Sequence, residues 1–195
     1  MSVTMLIAFL VLVAAIGIVA WLRIRGLRAV PPQLQPGSSL PAFSARDEQG
    51  APVSSQDLSG KPAVILFVRG NWCPFCNSQV KNLTDGYREI AELGARLILI
   101  TPRPLSTTRR VAKFFEVDFE FWLDDSLEIA RQFGLLLQNG VPRGYRDEYG
   151  HDTVWPTALV TDADGIIRFT ELSKHISDRP DPETLLREVR KALRT

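Results

Sequence analysis

The sequence is poor in the cysteine and histidine residues that bind metals, and it has little excess of positive charge. Its 195 residues include two cysteines and two histidines, and the formal net charge is +1. A structural zinc site needs four ligands, and His151 and His175 lie at the wrong spacing from the cysteines for a zinc finger. Acidic and basic residues are interspersed, whereas a nucleic-acid binder needs a dense basic stripe. The sequence therefore argues against a metal site, implies no cofactor and predicts no nucleic-acid partner.

Charge is also absent from the first 22 residues, and residues 5–22 are almost wholly apolar. A helix of about 22 residues rises about 33 Å, enough to cross a hydrocarbon core of about 30 Å. A cleaved signal peptide would need a basic residue before the apolar run and a small-x-small cleavage site, and the sequence has neither. Trp21 followed by Arg23, Arg25 and Arg28 is typical of the end of a span. These features predict a transmembrane anchor over residues 1–24 and a single-pass membrane protein.

The same arginines predict the side of the membrane on which the domain lies. Because they follow the span, the positive-inside rule favours the cytoplasmic side for the domain. A periplasmic or extracytoplasmic domain remains the alternative, since two cysteines in one motif suit either compartment.

Beyond the span, composition divides the chain into a linker and one domain. Four prolines between residues 30 and 41 predict a stiff, extended linker over residues 25–41. No internal repeat or low-complexity tract follows, and residues 42–195 are long enough for a single domain with its own core.

The domain alternates apolar strands with helical repeats. Residues 63–68 and 95–100 are unbroken apolar runs, typical of strands buried on both faces of a sheet. Residues 157–161 and 166–170 flank a turn and predict an antiparallel hairpin. A helix begins at Pro182 after the cap residue Asp181. This order predicts an α/β fold with a mixed central sheet flanked by helices.

Both cysteines, Cys73 and Cys76, fall where the first buried strand gives way to a helical repeat. A Cys-x-x-Cys at such a junction is the signature of a dithiol redox centre. Cys76 starts an apolar stripe of helical period that faces the sheet, which predicts a partly shielded resolving thiol. Pro74 suits the first helical position, which puts Cys73 at the mouth of the helix. There, free N–H groups and the helix dipole stabilise a thiolate, so Cys73 is predicted to be the exposed nucleophile with a low pKa.

Two further features bear on this centre. Arg69 would lower the pKa of the thiol further if its side chain turns toward the site. Pro156 opens a later strand, where a proline is restricted to an edge. Alternatively, Pro156 is a cis-proline laid against the cysteines that presents the backbone of Trp155 to a substrate strand. The polar loop 141–152 before it is predicted to be solvated, or alternatively to shape a substrate groove. A pair of buried, inert cysteines remains a competing interpretation.

The active-site segment Phe-Val-Arg-Gly-Asn-Trp-Cys-Pro-Phe-Cys, residues 67–76, resembles that of peroxiredoxin-like proteins of the AhpC/TSA group. The likeness extends through residues 122–125, 155–162, 165–169 and 179–183. The resemblance implies a thioredoxin-like fold, thiol–disulfide oxidoreductase or antioxidant chemistry, and a cis bond at Pro156. Peroxiredoxins of this group carry Pro-x-x-x-Thr-x-x-Cys. Aligning Cys76 on that cysteine puts Cys73 at the threonine and Arg69 at the proline, and aligning Cys73 there puts Gly70 and Leu66 at those positions.

The sequence thus predicts a membrane-anchored thiol–disulfide oxidoreductase that attacks through Cys73 and resolves through Cys76. Its redox partner would be a thiol or disulfide, in a protein or a small molecule. The alternatives are a thiol-dependent peroxidase and a redox-sensing or non-catalytic interaction domain. The residues expected to shape the site or bind substrate are Arg69, Trp72, Pro74, Phe75, Trp155 and Pro156.

Overall fold

The computed structural model of the chain describes residues 5, 9, 11–19, 28–70, 72, 73, 89–102, 120–175 and 178–194. Its strands are β1 (Ser44–Asp47), β2 (Pro52–Ser54), β3 (Ala63–Phe67), β4 (Arg96–Thr101), β5 (Glu120–Leu123), β6 (Leu136–Leu137), β7 (Thr153–Val154), β8 (Thr157–Thr161) and β9 (Ile167–Leu172). The α-helices are α1 (Glu128–Gln132), α2 (Arg146–Tyr149) and α3 (Pro182–Ala192), and 3₁₀ turns cover Pro32–Leu34, Ser55–Leu58 and Arg143–Tyr145.

Seven of these strands form one mixed sheet in the order β2-β1-β5-β4-β3-β8-β9. The β3–β4 and β4–β5 pairs are parallel, while β8 runs antiparallel to β3 and β9. The central strand β3 is wholly apolar and buried along its length, as the sequence predicts for a strand covered on both faces. The α/β fold with a mixed central sheet is therefore confirmed.

The two faces of the sheet carry separate apolar clusters, because successive side chains of a strand point in opposite directions. Val64 and Leu66 of β3 pack on one face with Leu185 and Val189 of α3, and this first cluster includes Cys73. Ile65 and Phe67 face the second cluster, whose members include α1 residues and segments before β1. Helix α3 begins as predicted, with the Asp181 carboxylate accepting the N–H of Thr184 at 2.8 Å.

The predicted transmembrane anchor over residues 1–24 is wrong, and so is the single-pass membrane localisation. In the described part of the chain, none of the helices is both long and apolar enough to cross a bilayer. Ahead of residue 28, the positions described as helical are 5, 9 and 11–19.

The segment predicted to be a free linker packs on the domain over its described part. Leu34 is fully buried in the second cluster. The Arg28 guanidinium donates to the Gly134 carbonyl, and the Thr170 hydroxyl donates to the Leu34 carbonyl at 2.5 Å. Residues 28–41 are thus held against the sheet rather than extended as a spacer. Burial of the Leu34 side chain and the two hydrogen bonds stabilise this packed arrangement, although the prolines favour an extended backbone.

Candidate active site

The end of β3 positions the predicted redox centre. Val68 extends the strand by donating its N–H to the Ile100 carbonyl at 2.9 Å. Five residues after Val68, the Cys73 N–H donates to the Gly70 carbonyl at 3.2 Å, which closes a tight turn. Cys73 therefore lies at the edge of the sheet where the parallel strands β3, β4 and β5 end. In open α/β sheets this edge is the usual place for a ligand site.

Cys73 is buried, with 1% of its surface exposed, and it packs in the first apolar cluster. The expectation of an exposed nucleophile is therefore wrong. The turn at Gly70 places the half-buried Trp72 against the apolar cluster that holds Cys73. Pro74, Phe75 and Cys76 lie outside the described residues, so their roles stay predictions.

Arg69 is the charged group of this site. Its side chain is 4% exposed, and its guanidinium donates to the Gly140 carbonyl at 2.6 Å. The guanidinium carbon lies 4.6 Å from the centroid of the Trp72 ring, the distance of a cation–π contact. The Arg69 carbonyl in turn accepts the Thr153 hydroxyl at 3.1 Å. The cation is thus fixed beside the residue that precedes Cys73.

Gly70 is required by this arrangement. Its φ of +144° is a conformation that side-chain-bearing residues rarely adopt. A Cβ at this position would lie 2.6 Å from Nε1 of Trp72, well inside van der Waals contact. The indole therefore folds directly against the Gly70 backbone, and only glycine leaves the space.

Trp155 and Pro156 lie beside the same edge, because Thr157 of β8 pairs with Phe67 at the end of β3. Trp155 donates its N–H to the Leu135 carbonyl at 2.7 Å, and its ring lies 5.2 Å from the Arg28 guanidinium carbon. No peptide bond among the described residues is cis, and both Trp155 and Pro156 are described. The predicted cis-proline is therefore wrong. The chain runs extended into β8 here, and the Pro156 carbonyl accepts the Ser173 N–H at 3.0 Å.

The structure adds one aromatic residue that sequence reasoning missed. Tyr145, from the loop before β7, stacks on Trp72 with ring centroids 6.2 Å apart. The available signal was the alternative that loop 141–152 shapes the site. The several charged residues of this loop predict a solvated segment, and a single tyrosine among them gives no local sign of packing. His151 and His175 are exposed, and the described residues contain no cluster of three or more His, Cys, Asp or Glu side chains placed to hold a metal ion.

Asp124 follows β5 at this edge and is buried. Its two carboxylate oxygens accept the N–H groups of Ile129 and Ala130 at 3.0 and 2.8 Å, which caps helix α1. Burial raises the pKa of the Asp124 carboxyl above its ordinary value of 3.8, while the backbone hydrogen bonds oppose that rise. The Asp124 carboxyl that caps helix α1 is therefore partly desolvated.

This raised pKa predicts a pH-dependent stability. Because the folded chain holds the Asp124 proton more tightly than the unfolded chain, the corresponding stabilisation is present at acid pH. It is lost as the pH rises from about 3.8 through the folded pKa. In urea unfolding at a series of pH values, the stability of the wild-type chain relative to Asp124→Asn should fall across this window. The matched control is Asp164→Asn, an exposed turn residue. A wild-type advantage that grows with pH would contradict the assignment.

The fold and the sequence both have known relatives. The solved structure of peroxidoxin BcpB from Mycobacterium tuberculosis superposes with a TM-score of 0.68 at 24% identity, covering 83% of this chain and 99% of that one. The peroxiredoxin-like protein from Aquifex aeolicus gives a TM-score of 0.69 at 15% identity, covering 84% of this chain and 91% of that one. At these identities the likeness shows the fold, and the predicted thioredoxin-like architecture is confirmed.

Among curated proteins, chloroplastic peroxiredoxin Q of Sedum lineare is 27% identical over 99 residues, 51% of this chain and 53% of that protein. The putative peroxiredoxin bcp of Haemophilus influenzae is 30% identical over 105 residues, 52% of this chain and 66% of that protein. The match spans about half the length of the curated plant relatives. The AhpC/TSA family itself matches residues 36–170. Since this match covers more than half of the chain, the protein belongs to the AhpC/TSA family.

Proposed function

We propose that this chain is a thiol-dependent peroxidase in which Cys73 reduces a small hydroperoxide and Cys76 resolves the product. The observation that carries the proposal is the burial of Cys73, which has 1% of its surface exposed. We infer that so enclosed a thiol suits a hydroperoxide of a few atoms better than a disulfide on the surface of another protein. Membership of the AhpC/TSA family and the peroxiredoxin relatives support the same chemistry.

The reaction runs in three balanced steps. The Cys73 thiolate attacks the peroxide, so that an S–O bond forms and the O–O bond breaks; the alkoxide or hydroxide that leaves takes up the proton that the thiol had released and becomes an alcohol or water. The Cys76 thiol then attacks the sulfenic sulfur, which forms the disulfide and releases water. A dithiol reductant, in a small molecule or a protein, restores the two thiols by disulfide exchange.

The residues around Cys73 have distinct tasks in this scheme. The buried Arg69 guanidinium places a positive charge over the ring of Trp72, the residue before Cys73, and a cation near a thiol favours the thiolate. The indole of Trp72 excludes water on one side of the cluster, which strengthens that electrostatic interaction. The helix predicted from Pro74 onward would add its N-terminal N–H groups to the same stabilisation.

Protein disulfide exchange is the second candidate, and one observation favours it. Seven residues before the aligned cysteine stands Leu66 for Cys73 or Arg69 for Cys76, rather than a proline, so the Pro-x-x-x-Thr-x-x-Cys pattern is absent in either alignment. Dithiol exchange requires the Cys-x-x-Cys pair but not that peroxide-binding pattern. The two functions therefore differ in the size of the oxidised substrate.

A single-turnover assay separates them. The reduced chain is mixed with one equivalent of hydrogen peroxide, and peroxide and thiols are measured together. The proposal predicts that one peroxide disappears for every two thiols lost, with the disulfide recovered by mass spectrometry. Insulin reduction by the same chain with dithiothreitol is the parallel measurement. Insulin reduction without peroxide loss would transfer the assignment to disulfide exchange, and neither activity would refute both.

A further inference from the structure

Tyr145 brings a ring to the candidate active site from a part of the chain remote in sequence. Its ring and that of Trp72 stack with planes inclined by 30° and centroids 6.2 Å apart. Tyr145 is 45% exposed, Trp72 is half-buried and Cys73 is buried. The two rings therefore form an outer aromatic layer, and the thiol belongs to the inner apolar cluster.

The Trp72 ring is held on more than one side. The Arg69 guanidinium lies over its face, and the Gly70 backbone lies against its Nε1 edge. The ring also packs on the apolar cluster that contains Cys73. With these contacts in place, Tyr145 is the solvent-facing partner of the indole. Moving Tyr145 away would uncover Trp72 without changing the groups beneath it.

The loop that carries Tyr145 is fastened at both of its ends. The Val141 N–H donates to the His151 carbonyl at 3.0 Å, and the Tyr145 N–H donates to the Pro142 carbonyl at 3.0 Å. Within the loop, Arg146 donates to the Val141 carbonyl at 3.1 Å. These hydrogen bonds hold the 3₁₀ turn Arg143–Tyr145 and helix α2 as one small unit.

Gly140 joins this unit to the cation of the site. Its carbonyl accepts the hydrogen bond from Arg69, so the loop begins at the group that supports Trp72. A Cβ at Gly140 would lie 2.7 Å from side-chain atoms of both Leu137 and Thr153, so the loop approaches β6 and β7 as closely as a glycine allows. The position of Tyr145 is therefore coupled to Arg69 through a short, tightly packed connection.

We propose that Tyr145 is a specificity-determining residue, which restricts access to Cys73 to small oxidants by closing the aromatic layer over Trp72. The inference rests on the proposed function, because it assumes that Cys73 is the reacting thiol. The interaction energy between the two rings is large enough to affect the selectivity for oxidants of different size. A stacked aromatic pair contributes about 0.5–1.5 kcal/mol beyond its buried area, which corresponds to roughly a two- to thirteenfold effect on the population of the open arrangement.

The test uses thiol labelling of the full chain in a Cys76→Ser background, where Cys73 is the only thiol left. Methyl methanethiosulfonate and benzyl methanethiosulfonate carry the same reacting group and leaving group but differ in size. Each transfers its thioalkyl group to the cysteine as a mixed disulfide and releases methanesulfinate. Rates are measured for the parent, for Tyr145→Ala and for Tyr145→Phe, with circular dichroism as the check on folding.

Tyr145→Ala should raise the benzyl-to-methyl rate ratio by about two- to thirteenfold. Tyr145→Phe retains the ring and should keep the ratio of the parent. An unchanged ratio in Tyr145→Ala, an equal rise of both rates, or a Phe variant that behaves like the Ala variant would each overturn the inference. Labelling involves no peroxide, so a failure of the peroxidase assay and a failure of this inference remain distinguishable.

Discussion

Replacing Cys73 by serine should abolish peroxide reduction, with a loss of about a thousandfold or more in the rate of peroxide consumption. The thiolate is the nucleophile in this chemistry, and a serine hydroxyl is neither ionised at neutral pH nor oxidised by a hydroperoxide. Serine is close to cysteine in size, so the buried site keeps its shape and the chain should remain folded. Stopped-flow measurement of peroxide loss under single-turnover conditions reads the effect directly.

Cys76→Ser is the matched control, because it removes the other thiol of the pair. It should consume one peroxide per chain in the first turnover and then stop, since no second thiol is present to displace water from the sulfenic acid. A sulfenic-acid trap such as dimedone should label Cys73 in this variant. If Cys73→Ser consumes peroxide and Cys76→Ser does not, the roles of the two cysteines are the reverse of those proposed.

Phe133→Ala should destabilise the fold by about 3–5 kcal/mol, the range measured for deleting a buried phenyl ring. Phe133 is fully buried in the second apolar cluster, and its ring centroid lies 5.6 Å from those of both Phe43 and Phe67. Removing it therefore leaves a cavity and ends two aromatic contacts at once. Phe67 is the last residue of β3, so the same cavity lies behind the strand end that carries the active-site turn.

The free energy of unfolding, from urea or guanidinium titration, measures this loss. Phe169→Ala is the control, because Phe169 packs against the opposite cluster and is only partly buried. Its loss should be clearly smaller, since less of the ring leaves water on folding. Equal losses for the two variants would mean that the second cluster is loosely packed around Phe133.

The strands could be predicted because their information is local. An unbroken apolar run such as residues 63–67 has no solvent-facing side, so it predicts a central strand without knowledge of its neighbours. The helix after Asp181 was equally predictable, since a cap residue followed by a proline acts within one turn. The proximity of Arg69, Trp72 and Cys73 was predictable for the same reason, because they are close neighbours along the chain.

Other features depend on contacts between distant residues. Leu34 lies in a proline-rich segment whose composition predicts an extended spacer, yet tertiary packing buries it. The apolar residues before it have the composition of a membrane span, but no described helix has the required length. The bond before Pro156 is not cis, although the resemblance implied that it is. Composition and family resemblance indicate which conformations a segment can adopt, whereas its contacts with distant residues determine which one forms.

The sequence by itself determined the fold class and predicted a redox centre at the Cys-x-x-Cys after β3, because hydrophobic periodicity and residue chemistry are properties of short stretches of chain. Only the tertiary structure decided that Cys73 is buried and that Tyr145 covers Trp72. Those two facts depend on the turn at Gly70 and on a loop some 70 residues away, joined to the site through the hydrogen bond between Arg69 and Gly140. Side-chain accessibility is a property of the packed chain, so no local pattern encodes it.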